Sequence, residues 1–300
     1  MTRPARIVVF DSGLGGLTVF PAVRRIAGAA ALIYVADDAV FPYGGLGEAA
    51  VLVRVEAVMA ALIAAHRPEI VVIACNTVST LVLPQLRARW PDVAFVGTVP
   101  AIKPAAAASR SGLISVLATP GTVARDYTHT LIDAYAAGCS VTLVGARRLA
   151  TLAERVMRAE PVVDEDLRAE IAPAFVEREG RRTDTVVLAC THYPLVLSRL
   201  EAVAPWPVTW IDPAPAIARR VGRLLDERKP MPADLPPTGP APVLLTSNTP
   251  PGPPLTAFLA ARGLRWEPSL AFAGLPDRSS LPDGAGLPDS SGLPDKSPAA

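Results

Sequence analysis

The chain writes one pattern twice: VVIACNTVST at residues 71–80 and VVLACTHYPL at 186–195. Each copy is a short β-branched apolar run that ends in Ala-Cys and passes into small polar residues. An apolar run of strand length without alternation has both faces buried. A parallel sheet covered by helices on each side supplies those surroundings. The copies start 115 residues apart, so each half of the chain holds one such strand.

The segments around the repeat agree. RIVVFDSG, ALIYVADD, EIVVIACNT and VAFVGTVP read as strands of the first half. LTVFPAVRRI, EAAVLVRVEAVMAALIAA and VSTLVLPQLRARW lie between them with helical spacing. The second half restarts the alternation with GLISVLATPGT, SVTLVGA, TDTVVLACTHYPLV and PVTWID as strands, and VARDYTHTLIDAYAAG, LRAEIAPAFVEREG and PAIARRVGRLLDE as helices. The expected fold is α/β, with two similar three-layer α/β domains, largely parallel sheets and the active site in the cleft between them. Sites in such sheets lie beyond the carboxyl ends of the strands, where both cysteines fall.

After about residue 230 the character changes. KPMPADLPPTGPAP is a Pro-rich linker, VLLTSN is strand-like, and from 271 the triplet Leu-Pro-Asp recurs at 275, 281, 287 and 293. Residues 271–300, rich in Pro, Gly and Ser, are expected to form a disordered tail.

Charge and cysteine content exclude several classes. Lys and Arg number 29 against 28 Asp and Glu, so nothing draws the chain to nucleic acid or an anionic membrane. AVMAALIAA (57–65) lies between Glu56 and His66, short of the ~20 residues of a membrane span. The N-terminal apolar run meets Asp11 too early for a secretory signal. Three cysteines without disulfide-like clustering fit a reducing cytoplasm. Of three lysines, only Lys103 lies outside the linker and the tail, and nothing marks a pyridoxal site.

Cys75 and Cys190 admit several uses. A cysteine ending an apolar strand can be a small core residue. Cys190 and His192, two apart on an extended segment, point the same way and could hold a metal with Cys75, although no fourth ligand or C-x-x-C pair is evident. A disulfide is a third use. Acid–base chemistry by two thiols explains the repetition more fully. One thiolate takes a proton from one face of a substrate carbon, the other thiol returns one to the opposite face, and the product is the mirror image. Asn76, Thr77, Thr191 and His192 supply donors where a core prefers carbon. DSGLGG (11–16) matches a phosphate loop poorly, and its glycines suggest tight turns and close backbone approach. Asp11 suits either a helix cap or a contact to the first cysteine or a substrate ammonium. In FPYGG (41–45), Tyr43 suits packing and Gly44 offers a backbone N–H.

Taken together, VVFDSGLGGLTV, ADDAVFPYGG, VIACNTVST, VPAIKPA, ATPGTV and VVLACTHYPL resemble the cofactor-independent, two-cysteine glutamate racemases of the Asp/Glu racemase superfamily. The matches run in order from about residue 7 to about 220. The resemblance implies Cys75 and Cys190 as the proton donor and acceptor pair, Cys75 acting on D-glutamate and Cys190 on L-glutamate. Asp11 and Ser12 would contact the substrate and orient the Cys75 side. Tyr43, Gly44, Asn76, Thr77, Thr191 and His192 would complete the pocket, with His192 assisting Cys190 and Thr119 and Thr122 lining the cleft. It further implies no cofactor, D-glutamate supply for peptidoglycan, a homodimer, activation by UDP-N-acetylmuramoyl-L-alanine in the branch whose VPAIKPA and RDYTHTLI are similar, and DNA gyrase binding in some members. The domains would be discontinuous, 1–98 with 207–270 and 99–206 between. Aspartate racemase is the nearest alternative, one methylene and about 1–3 kcal/mol away; a non-catalytic gyrase-binding relative is another. Two departures stand out. Many relatives carry a Glu that would fall near Thr151, where the nearest acid is Glu154, and Asp212-Pro213-Ala214 replaces Asp-Ser-Gly/Ala.

Overall fold

A computed structural model of the chain describes residues 4–227 and 239–282. The first half runs β1 (Arg6–Asp11), α1 (Phe20–Ile26), β2 (Ala31–Ala36), α2 (Glu48–His66), β3 (Ile70–Ile73), α3 (Asn76–Arg89) and β4 (Ala94–Gly97). The second runs α4 (Ile102–Ala108), β5 (Leu113–Ala118), α5 (Pro120–Val123), α6 (Asp126–Tyr135), β6 (Ser140–Gly145), α7 (Leu149–Met157), α8 (Asp164–Ile171), the small hairpin β7 (Glu177–Arg178) and β8 (Arg181–Arg182), β9 (Thr185–Ala189), α9 (Leu197–Val203) and β10 (Thr209–Ile211). The chain then returns to the first domain through α10 (Ala214–Glu227), β11 (Ala241–Leu245), α11 (Pro253–Ala260) and β12 (Leu264–Trp266).

All pairings in the two main sheets are parallel. The first has the order β12-β11-β2-β1-β3-β4 and the second β10-β9-β5-β6. The apolar runs of β1, β3, β5 and β9 are buried on both faces, as their composition requires. Along β1, Ile7 and Val9 face the core shared with α1, α10 and α11, and Val8 and Phe10 face the core shared with α2 and α3. In the second sheet, Val186 and Leu188 pack toward α7, α8 and α9, and Val187 and Ala189 toward α4.

Four details differ from the sequence expectation. Residues 209–211 pair with β9 as the edge of the second sheet, not with the first domain, because Thr209, Trp210 and Ile211 register against Thr185, Val186 and Val187. The helix expected through 180 stops at Ile171: Pro173 follows in a 3-10 turn and a hairpin succeeds it. Helix α2 is 19 residues long and apolar enough in length and composition to cross a membrane, yet Val51, Val55, Val58, Met59 and Leu62 pack into the core. Finally, residues 271–282 are docked, not loose. Phe272 and Leu281 are buried against the α2–α3 side of the first sheet and Leu275 packs there too, because their apolar side chains cover α2. The copies of Leu-Pro-Asp at 287 and 293 lie outside the described residues.

Candidate active site

Both repeated cysteines sit just past a central strand. Cys75 follows β3 in extended backbone and immediately precedes Asn76, the first residue of α3. Cys190 follows β9 and leads into a 3-10 turn at Tyr193–Val196. The parallel sheets therefore aim both thiols at the same cleft, one from each domain. Both are free and 6 % exposed. They line one cavity of about 610 Å³, together with Ser12, Tyr43, Gly44, Asn76, Thr77, Thr191 and His192.

Asp11 stands behind this wall. The resemblance gives it a substrate contact, but its carboxylate is fully buried and taken up by protein donors. Ser12 N donates to Oδ1 at 2.7 Å, and Gly16 N and Thr191 Oγ1 donate to Oδ2 at 2.5 and 3.0 Å. It thus ties the first domain to the second and fixes Ser12, whose Oγ lies 3.5 Å from Cys75 Sγ. Thr77, Thr119 and Thr122 form a hydroxyl triangle across the cleft, with Oγ1 separations of 3.0, 3.1 and 3.5 Å. Thr119 reaches the cavity wall, and Thr122 supports it from behind. Asn76 is different: its Oδ1 and Nδ2 are both buried, without a hydrogen-bond partner, on the cavity wall. An unmet buried amide costs about 1–3 kcal/mol, and this one faces the cavity with both polar atoms unpaired.

The two thiols differ electrostatically. Burial, and then the charge of Asp11, push the Cys75 thiol up to about 12. The Ser12 hydroxyl, 3.5 Å away, and then the Val78 N–H oppose that shift without cancelling it. Cys190 Sγ instead lies 3.8 Å from His192 Nδ1. Burial works against a charged His192, but its hydrogen bonds to Cys190 and Glu154 prevail and hold its pKa well above 6.5. Glu154 Oε1 is 3.0 Å from His192 Nε2 and accepts from Leu14 N at 2.7 Å. Burial alone would raise this carboxyl; His192, Leu14 N–H and Arg158 bring it below its ordinary value. Gly15 N also lies 3.2 Å from Nε2, but a protonated ring has no acceptor there, so Nε2–H donates to Glu154.

Glu154 is the residue that the motifs alone did not place. The stretch 147–157 matches no quoted motif, yet it folds as α7, and its one inward acid reaches under the glycine loop to His192. Thr151, where an acid was expected, lines the cavity instead. Phe41 stacks beside His192, with ring centroids 5.2 Å apart. Arg125 and Glu48 form an ion pair between the domains at the cavity wall. No ordering of motifs foretold these contacts, since each joins residues far apart in sequence. Among the described residues, no group of three His, Cys, Asp or Glu side chains is arranged to hold a metal ion.

A family model for Asp/Glu/hydantoin racemases matches residues 14–221, and both cysteine motifs lie within that span. The chain belongs to the Asp/Glu/hydantoin racemase family. Among its family relatives, the glutamate racemase of Sinorhizobium medicae is 55 % identical over 245 residues, 81 % of this chain and 89 % of the relative. The glutamate racemase of Agrobacterium fabrum is 54 % identical over 228 residues, 76 % of this chain and 82 % of the relative. Among solved structures, Escherichia coli glutamate racemase in complex with L-glutamate and the activator UDP-MurNAc-Ala superposes with a TM-score of 0.79. It is 36 % identical, and the match covers 88 % of this chain and 97 % of that one. Thermus thermophilus glutamate racemase with beta-chloro-D-alanine superposes at 0.66 and 28 % identity, over 88 % of this chain and 95 % of that one.

Proposed function

We infer that this racemase interconverts L- and D-glutamate by two-base proton transfer at the α-carbon, supplying D-glutamate for peptidoglycan in the cytoplasm. The observation that carries the mechanism is the pair of buried thiols, one from each domain, on the walls of a single cavity. The choice of glutamate over aspartate is supported by identity above 50 % to glutamate racemases over most of the chain.

The electrostatic asymmetry sets a direction. Cys75, with its thiol pushed up to about 12, stays protonated and acts as the donor. Cys190 lies 3.8 Å from the ring of His192, the cation that faces it, and is assigned as the base for L-glutamate. The Cys190 thiolate removes the Cα proton from one face of L-glutamate. The electron pair left on carbon spreads into the α-carboxylate, and Cys75 delivers its proton to the opposite face. D-glutamate leaves with Cys190 as thiol and Cys75 as thiolate; a D-to-L turnover restores the first state directly, and a second L-to-D turnover requires Cys190 to give its proton to water and Cys75 to take one back. Neutral donors such as Asn76 and Thr77 suit this chemistry, because they strengthen as charge develops on the carboxylate and do not trap the ground state.

The test is racemisation in D₂O without pyridoxal phosphate, with L-glutamate or L-aspartate, and with or without UDP-N-acetylmuramoyl-L-alanine. Loss of handedness together with loss of the Cα proton signal is expected for glutamate. No turnover of glutamate in either arm, or equal turnover of aspartate, would overturn the assignment. Faster turnover with the precursor would extend to this chain the activation named for the Escherichia coli enzyme.

Glu154→Gln is expected to change the pH profile. Removing the carboxylate lowers the His192 pKa, so the alkaline limb of kcat/KM for L-glutamate moves to lower pH while the protein stays folded. An unmoved limb would show that Glu154 does not act through His192. The pair's stabilisation follows the same signs. The His192 contribution is full below its ordinary 6.5 and fades as pH rises through its raised value. The Glu154 contribution is full above its ordinary 4.5 and fades as pH falls through its lowered value.

A further inference from the structure

The wall of the cavity formed by residues 41–46 has little regular structure of its own beyond a 3-10 turn at Tyr43–Gly45. It is held from behind by the segment that follows Ala273. Arg278 Nη1 donates to Val40 O at 3.4 Å and Phe41 O at 3.3 Å. Leu281 is 7 % exposed and anchors this arm in the core beside α2. Arg54, 2 % exposed, donates from Nη1 to Pro276 O at 2.6 Å, and from Nε and Nη2 to Asp37 at 2.8 and 2.5 Å. Asp37 in turn accepts from Tyr43 Oη and, at 2.5 Å, from Thr246 Oγ1.

Two chains of contact therefore run from the Leu-Pro-Asp region to the active site. One passes from Pro276 through Arg54 and Asp37 to Tyr43. The other passes from Arg278 to the backbone of Phe41, whose ring lies against His192. A carbonyl held by a buried guanidinium that also clamps a carboxylate is a fixed point and not a surface contact. We propose that residues 275–281 are a brace for the substrate-binding wall, with Arg278 as a positioning residue that holds Phe41 and Tyr43 in place for glutamate. The cavity assignment rests on the racemase function proposed above; the brace itself is a statement about the free protein.

The test uses the full chain with Arg278→Ala, Arg278→Lys and Leu281→Asp, and Ser279→Ala as the control. Among the described residues Ser279 bonds only to Asp277. Amide hydrogen exchange across residues 38–46 is measured first, without substrate. Arg278→Ala and Leu281→Asp are expected to speed it roughly tenfold, with Arg278→Lys restoring most of the protection. In the racemisation assay, Arg278→Ala is expected to raise KM for glutamate by roughly tenfold with a smaller change in kcat. Unchanged exchange in Arg278→Ala overturns the brace, whatever Leu281→Asp does to folding. So does unchanged KM beside an active parent chain. A parent chain that does not turn over glutamate counts against the function alone, because the exchange measurement still decides the brace.

Discussion

Cys75→Ala and Cys190→Ala are each expected to lose racemisation, with kcat falling by about 10²–10⁴-fold or more while the fold persists. The reason is geometric. In the proposed mechanism each thiol serves one face of the α-carbon from its own domain, so neither replaces the other. Exchange in D₂O separates this from a packing role. In each variant the surviving cysteine can still take a proton from its own face and return a deuteron to it. One enantiomer therefore exchanges its Cα proton without inverting, and the other does not exchange. The two variants differ in which enantiomer that is, with L-glutamate expected to exchange in Cys75→Ala. Removing one sulfur from the cavity wall leaves the strands and both cores intact, so melting temperature changes little. Normal turnover in either variant, or a large loss of melting temperature in both, overturns the two-base account.

Gly15→Ala disables the site without touching either thiol. A Cβ there would lie 2.5 Å from His192 Nδ1, 2.7 Å from Thr191 Oγ1 and 2.8 Å from Asp11 Oδ2. All three residues are buried, Asp11 and Thr191 are hydrogen-bonded to each other across the domain interface, and His192 is held by Glu154, so none can swing away cheaply. The expected cost is about 1–3 kcal/mol of stability from overpacking, and about 10²-fold in kcat/KM from displaced His192 and Thr191. Gly138→Ala, where an added Cβ meets nothing within 4 Å, is the matched control. Thermal melts and steady-state kinetics on both variants check the prediction, and parent-like kinetics in Gly15→Ala would sink it.

This glycine also shows where reading the sequence succeeds and where it stops. DSGLGG was legible as a place of close backbone approach. None of Gly13, Gly15 and Gly16 has the positive φ that a tight turn would demand, so the approach is the whole requirement. What approaches could not be read. It is Glu154, His192 and Thr191 of the other domain, and Gly13 lies so near that a Cβ would fall 2.2 Å from Glu154 Oε1. Asp11 was legible as an important strand-end acid, but not as a tie buried between domains. The expectation of disorder fails over residues 271–282, because low complexity says nothing about whether two leucines six residues apart find apolar partners; Leu275 and Leu281 do, beside α2.

The sequence by itself determined the two parallel α/β layers, since runs such as VVIA and VVLA are stable only with both faces covered. It also determined that a cysteine ends a central strand in each half, and hence that the thiols come as a pair. Tertiary structure alone decided how the two differ. Burial beside Asp11 holds Cys75 as a thiol, and an imidazole backed by Glu154 stands at Cys190. The His192 contact is local in sequence, but Glu154 lies 38 positions from His192 and Asp11 reaches Cys75 from another strand. Motif spacing records such partners only once the chain has folded them together.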